Sequence, residues 1–151
     1  MIEKLQNSDI EISKKIRSVF QSSYKVEAEL LNAVDFPPLK RTLENYVHST
    51  TAFFGYIKNK ELAGVIEINS TADFTSINSL VVDPKFFRQG VAKKLMEFVF
   101  NTFDSELLIV ETGLENGPAI ALYEKFGFKE VKQWDTDHGV RKIKMEHKRG
   151  N

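Results

Sequence analysis

Two short stretches carry the residue types and spacings best suited to chemistry. The first is Leu80-Val81-Val82-Asp83-Pro84-Lys85-Phe86-Phe87-Arg88-Gln89-Gly90-Val91-Ala92-Lys93-Lys94-Leu95. It reads as an apolar strand, stopped by proline, that turns through small residues into an amphipathic helix with Val91, Leu95, Phe98 and Val99 on one face. Gly90 and Ala92 leave little side chain at the turn, so another group can approach the backbone there. The first turn of a helix carries free N–H donors and the positive end of the macrodipole, which together suit a phosphate. The same residues also make an ordinary strand-to-helix corner in which Gly90 only serves the turn. The second stretch runs from Asn116 to Phe128. Pro118 suits the first position of a helix, Ala119, Leu122, Tyr123 and Phe126 share one face, and Gly127 closes it as a C-terminal cap. By spacing alone Tyr123 is a core aromatic. Its phenol, with a reference pKa of about 10, is nevertheless a competent acid at neutral pH.

Composition removes several alternatives. The chain has 151 residues and no cysteine, which excludes disulfides, thiolate metal sites and a cysteine nucleophile. No Gly-x4-Gly-Lys-Ser/Thr, Gly-x-Gly-x-x-Gly or Gly-x-Ser-x-Gly pattern occurs. His48, His138 and His147 stand apart from carboxylates, as surface or hairpin residues, and no metal site is expected. Twenty-one basic residues balance twenty-one acidic ones, which supports neither a nucleic-acid partner nor a polybasic membrane anchor. The basic residues Arg141, Lys142, Lys144, Lys148 and Arg149 read as the solvated face of a last strand and a tail. The N-terminus lacks a signal-type apolar core, and a soluble cytoplasmic protein, monomer or homodimer, is expected.

The elements that must position these stretches follow from periodicity. Ile2 to Gln6 suits an edge strand. Ser8 and Glu11 have capping-box spacing, and Ile12, Ile16, Val19 and Phe20 mark a first helix fading near Ser22-Ser23, with Tyr24 to Val34 either helix or loop. Phe36-Pro37-Pro38 breaks the chain, and Leu39, Leu43 and Val47 mark a second helix. Ala52–Lys58 and Glu61–Asn69 form a hairpin, with Leu62, Gly64, Ile66 and Ile68 on one side and Ala63, Val65 and Glu67 on the other. Phe74–Val82 adds a third antiparallel strand. The helix from Gln89 ends near Phe103-Asp104, and Leu107-Leu108-Ile109-Val110 is a central strand parallel to the third. Glu111 to Gly117 is a polar loop, and Phe128–Trp134 and Val140–Glu146 are a final strand pair. The order β-α-α-β-β-β-α-β-α-β-β describes one mixed α/β domain over 1–151. If the two central strands are parallel neighbours, both helix starts lie at their carboxyl ends, where open α/β sheets bind ligands.

The strand Leu80-Val81-Val82-Asp83-Pro84 followed by Arg88-Gln89-Gly90-Val91-Ala92 resembles the acetyl-coenzyme A signature of the GNAT N-acetyltransferases, Arg/Gln-x-x-Gly-x-Gly/Ala. Asn116-x-x-Ala119-x-x-x-Tyr123-Glu124-Lys125-x-Gly127-Phe128 resembles that family's Asn-x-x-Ala-x-x-x-Tyr-x-x-x-Gly-Phe. The family's first Arg or Gln falls on Phe87, with Arg88 one place later. The resemblance implies a GNAT-like fold: a mixed, mostly antiparallel sheet with one splayed parallel pair, flanked by about four helices. It implies acetyl-coenzyme A as acyl donor, with the backbone of Leu80, Val81 and Val82 pairing with pantetheine. The N–H groups from Phe87 and Arg88 through Gln89, Gly90, Val91, Ala92 and Lys93 would cradle the pyrophosphate. Asn116 would hold the pantetheine or fix its loop, and Tyr123 would protonate the leaving thiolate. The base that deprotonates the amine would be Glu67 or Glu111, directly or through water.

The implied reaction is acetyl transfer to a primary amine of a small molecule or peptide by direct attack on the thioester. A non-catalytic acyl-coenzyme A-binding module is the alternative. Phe36, Pro37, Pro38, Tyr46 and Trp134 are expected on the acceptor side, with Arg41 as a carboxylate holder.

Overall fold

A computed structural model describes residues 1–149; residues 150–151, the end of the expected 1–151 domain, lie outside the described residues. Seven strands form one sheet: β1 (Ile2–Leu5), β2 (Ala52–Lys58), β3 (Glu61–Ser70), β4 (Phe74–Val82), β5 (Leu107–Gly113), β6 (Lys129–Asp135) and β7 (Arg141–Lys148). Their order is β1-β2-β3-β4-β5-β7-β6, and every neighbouring pair is antiparallel except β4–β5. Four α-helices complete the chain: α1 (Ile10–Leu31), α2 (Leu43–His48), α3 (Val91–Thr102) and α4 (Gly117–Lys125). The expected element order is the observed one.

The helices sandwich the sheet. Ile16, Val19 and Phe20 of α1 and Tyr46 of α2 pack on Phe53, Val65 and Val81 of one face. Val91, Leu95, Met96 and Val99 of α3, with Tyr123 of α4, pack on Ile66, Ile68, Ile77, Leu108 and Val110 of the other. Such apolar side chains contribute about 1.5–3 kcal/mol each when fully buried. A third cluster, Leu31, Phe36 and Val140, ties the end of α1 to the start of β7.

Local chemistry fixes the boundaries, in places against expectation. Asp9, rather than Ser8 of the expected capping box, caps α1, accepting the Glu11 N–H at 2.9 Å. The helix continues through Ser22-Ser23 to Leu31 because Tyr24, Ala28 and Leu31 still find apolar partners. Leu39 falls in a 3₁₀ turn, Pro37–Lys40, and α2 starts only after Thr42 accepts the Asn45 N–H at 3.1 Å. The β2–β3 hairpin turns on Asn59 (φ 51°) and Lys60 (φ 65°), both left-handed as a tight two-residue hairpin requires.

The expected alternation in β3 holds from Gly64 to Ile68 but not before it. Tyr56 pairs with Gly64 and Ile57 with Leu62, so Ala63 is an extra residue, and Leu62 turns to the α1 face beside Val65. Asn78 is likewise extra in β4, where Glu67 pairs with Ser79 and Ile68 with Ile77. β5 runs three residues beyond the expected Val110, to Gly113, because Glu111, Thr112 and Gly113 continue the ladder with β7.

Two adjustments bear on the site. α3 begins at Val91, not Gln89, after a 3₁₀ turn at Pro84–Phe86. α4 begins at Gly117 with Pro118 in its second position, and it ends in paired bonds from Gly127 N–H to Glu124 O and Phe128 N–H to Tyr123 O, each 3.0 Å.

Candidate active site

β4 and β5 pair only from Phe74↔Leu107 to Ile77↔Val110 and then separate. Beyond that point β4 still bonds β3, and β5 still bonds β7, so each keeps one edge facing the gap. The gap opens into a cavity of about 790 Å³, walled by α1, the Pro37 turn, and the starts of α3 and α4.

One end of this cavity is built from backbone. Arg88 (φ 63°) and Gly90 (φ 76°) are left-handed, and Gly90 is the N-cap residue of α3 with no side-chain cap. The first backbone bond into the helix runs from Lys94 N–H to Gly90 O (3.0 Å), so the N–H groups of Val91, Ala92 and Lys93 have no intrahelical acceptor. A Cβ at Gly90 would meet nothing within 4 Å. Phe87, Arg88, Gly90, Val91, Ala92 and Lys93 all line the cavity here. Gln89 does not; its side chain accepts from Lys58 Nζ at 2.6 Å. Free donors at a helix start, flanked by Arg88 and Lys93, fit a pyrophosphate.

Leu80 and Val82 line the middle of the cavity. Val81 buries its side chain against α1 and is left with only its backbone to offer. The Val82 N–H donates to Ser23 Oγ at 3.4 Å. A strand with one unpaired edge suits an extended ligand that carries amides.

Tyr123, Asn116 and Glu111 line the cavity from α4 and the β5–α4 corner. Asn116 is the N-cap of α4, accepting the Ala119 N–H at 3.3 Å, and its Nδ2 donates to Glu27 Oε1 at 2.8 Å. Tyr123 lies two turns further along α4, and burial, with the charge of Glu27, pushes its phenol well above the ordinary value. It therefore remains protonated at neutral pH. Glu111, exposed at the end of β5, pairs with Lys142 Nζ at 3.6 Å.

Glu67 is placed differently. It does not line the cavity but is clamped: Arg41 donates twice, at 2.8 and 3.0 Å, Thr51 Oγ1 at 2.6 Å and Ser79 Oγ at 3.0 Å. Burial raises its pKa, but the Arg41, Thr51 and Ser79 bonds outweigh that and hold the carboxyl below its ordinary value. Arg41, expected as a carboxylate holder on the acceptor side, is instead occupied by the carboxylate of Glu67 in this chain. Phe36, Pro37 and Pro38 line the cavity, whereas Tyr46 is wholly buried behind Arg41 and Trp134 lies under the ammonium groups of Lys132 and Lys142.

Sequence reasoning missed Tyr24, Glu27, His138 and Lys142, which all line the cavity. Burial raises the Glu27 pKa, against the opposing pull of Asn116 and Lys142. The signal was present in the helical spacing of Tyr24, Glu27 and Leu31, but it required α1 to continue past Ser22-Ser23. His138 was assigned to the hairpin and Lys142 to a solvated face; both belong to the β6–β7 arm, whose start reaches back over the gap through Val140.

Residues 23–149 match the family described as "Acetyltransferase (GNAT) domain". The chain is 34% identical over 141 residues to UPF0157 protein YqkA of Bacillus subtilis, a match covering 93% of this chain and 41% of YqkA; this chain thus spans about two fifths of that relative. It is 28% identical over 99 residues to the [Ribosomal protein bS18]-alanine N-acetyltransferase of Escherichia coli, covering 64% of this chain and 67% of that protein. Among solved structures, the PaiA N-acetyltransferase of Thermoplasma acidophilum in complex with coenzyme A shares the fold, with a TM-score of 0.75, 21% identity and 98% of both chains covered. The match over residues 23–149, on a chain whose β4–α3 and β5–α4 corners open on one cavity, places this protein in the GNAT acetyltransferase family.

Proposed function

We propose that this protein is an acetyl-coenzyme A-dependent N-acetyltransferase acting on a primary amine. One observation carries the reading: the free N–H groups at the start of α3, the unpaired β4 edge and Tyr123 all line the same cavity. That combination suits a donor with a pyrophosphate, an amide-bearing arm and a thioester. The bS18-alanine N-acetyltransferase relative supports a peptide α-amine as acceptor ahead of a small-molecule amine.

In this reading the backbone from Arg88 to Lys93 holds the pyrophosphate and the Leu80–Val82 edge pairs with the amides. The side chain of Phe87 supplies no charge, so that task passes to Arg88 and to the backbone. The amine nitrogen attacks the thioester carbonyl carbon directly, and Tyr123 gives its proton to the sulfur as the carbon–sulfur bond breaks. Glu111 lines the cavity paired with Lys142, whereas Glu67 anchors the acceptor-side turn to β3 through Arg41. No helix among the described residues is long and apolar enough to cross a membrane.

The test is calorimetry with coenzyme A, followed by thiol release from acetyl-coenzyme A with an alanyl tripeptide amide and with butylamine. Binding with thiol release is expected. Binding without release from either amine would instead favour a non-catalytic acyl-coenzyme A module, and no binding at millimolar ligand would overturn both readings.

A further inference from the structure

We propose that Glu27, a residue of α1 outside both sequence signatures, takes the proton from the acceptor's ammonium group. The inference rests on the acetyltransferase reading above and adds the missing base to it. Glu27 lines the same cavity as Tyr123, from the opposite wall. Its Oε1 accepts from Asn116 Nδ2 at 2.8 Å, while Oε2 has no hydrogen-bond partner among the described residues. Asn116 is itself fixed, since its Oδ1 caps α4 and its Nδ2 also reaches Thr112 Oγ1 at 3.4 Å. One carboxylate oxygen is therefore held and the other is free, on a side chain that α1 and α4 position together.

The surroundings suit a base. Charged and titratable groups from each neighbouring element face this end of the cavity: Tyr24 on α1, Tyr123 on α4, Glu111 on β5, His138 before β7 and Lys142 on β7. Burial makes the Glu27 carboxylate hold a proton more firmly than an exposed carboxylate does. Its rivals are less well placed. Glu67, which does not line the cavity, accepts four bonds from Arg41, Thr51 and Ser79, and Glu111 is exposed and already paired with Lys142. Lys142 lies close enough to lower the Glu27 pKa, but its ammonium is held by Glu111 at 3.6 Å.

The chemistry balances. The acceptor arrives as an ammonium and gives one N–H proton to Glu27 Oε2. The freed lone pair forms the carbon–nitrogen bond at the thioester carbonyl, and the carbon–sulfur bond breaks. Tyr123 passes its proton to the sulfur and is reprotonated by the second proton lost from nitrogen, and Glu27 returns its own proton to water. The net products are an N-acyl amine, a free thiol and one proton.

Glu27→Gln is the discriminating variant, because its amide oxygen can still accept from Asn116 but cannot take a proton. Thiol release from acetyl-coenzyme A is followed against pH with the alanyl tripeptide amide, whose α-amine titrates near about 8, and with butylamine. Coenzyme A affinity and melting temperature should match wild type. At neutral pH kcat/KM should fall by about 10²–10⁴-fold, and the deficit should shrink as pH rises through the amine's own pKa. A deficit that stays constant with pH would reduce Glu27 to a positioning residue, and turnover equal to wild type would remove it altogether. If Glu111→Gln instead abolishes the acidic limb while Glu27→Gln keeps it, the proton goes to Glu111 and the inference is overturned. Absence of turnover by wild type, by contrast, would overturn the acetyltransferase reading itself.

Discussion

Arg41 meets Glu67 with both arms of its guanidinium, Nη1 to Oε1 at 2.8 Å and Nη2 to Oε2 at 3.0 Å, while its flat face lies 4.2 Å from the centre of the Tyr46 ring. The pair joins the acceptor-side turn to the middle of the sheet, and Ser79 Oγ brings the irregular part of β4 into the same network.

Removing one partner leaves the other charge buried and unpaired. Arg41→Ala should therefore lower unfolding free energy by about 3–5 kcal/mol in urea titrations. The pH dependence has a definite sign. Glu67 is held below its ordinary value of 4.5, so the unfolded chain takes up this proton first as pH falls. The contribution is complete above that ordinary value and is lost on going below it. Melting temperatures from pH 7 down to about 3 should fall more steeply for wild type than for Glu67→Gln, and equal slopes would contradict the pairing.

Tyr46 offers the opposite case. The residue is 0% exposed, burial pushes its phenol up to about 12, and its hydroxyl has no hydrogen-bond partner among the described residues. Tyr46→Phe deletes a buried polar atom that nothing satisfies while keeping the ring under Arg41. Stability should stay level or rise by about 1 kcal/mol, read from the denaturant midpoint. A loss of the size expected for Arg41→Ala would show that the hydroxyl is engaged.

For Tyr123→Phe, kcat should fall by about 10²-fold or more, with coenzyme A affinity unchanged. The ring packs against Phe128 at 5.8 Å between centroids and keeps that contact without the hydroxyl. Loss of cofactor binding together with rate would point to a packing role instead.

Gly90 and Gly64 should separate ligand binding from packing. A Cβ at Gly90 touches nothing but would sit on a backbone at φ 76°, so Gly90→Ala should cost about 1–2 kcal/mol and weaken coenzyme A binding through the displaced N–H groups. At Gly64 the Cβ would lie 2.7 Å from Val91 Cγ1 and 3.0 Å from the Val81 carbonyl. Gly64→Ala should cost about 1–3 kcal/mol by overpacking, visible in the melt without any ligand.

Much of this was legible in the chain because local rules and global fold agree where periodicity is strong. Leu80 to Leu95 and Asn116 to Phe128 declare strand, turn and helix in their own residues, and those segments supply most of the cavity's donor side. The acceptor side was harder to read. Ser22-Ser23 interrupts the apolar pattern of α1, and only tertiary contacts of Tyr24 and Leu31 carry the helix onward and bring Glu27 to the cavity. The partners of Glu67 come from three segments distant in sequence, so its clamped state had no sequence signal. The extra residues Ala63 and Asn78 were equally silent, since nothing in their types announces a bulge.

The four-pair junction between β4 and β5 has a mechanical consequence. It divides the sheet into two leaves joined by backbone along a short seam: β1–β4 on one side and β5–β7 on the other, with the core under α3 packed across both. Beyond Ile77 and Val110 the leaves are bridged by the Glu27–Asn116 pair, the Leu31–Phe36–Val140 cluster, the Val34 N–H to His138 O bond at 3.4 Å, and whatever fills the gap. A bound donor would act as a strut that completes the sheet from inside. Hydrogen exchange should therefore slow on adding coenzyme A chiefly at amides beyond the seam, in 78–82 and 111–113, and hardly at all in the paired strands β1 and β2.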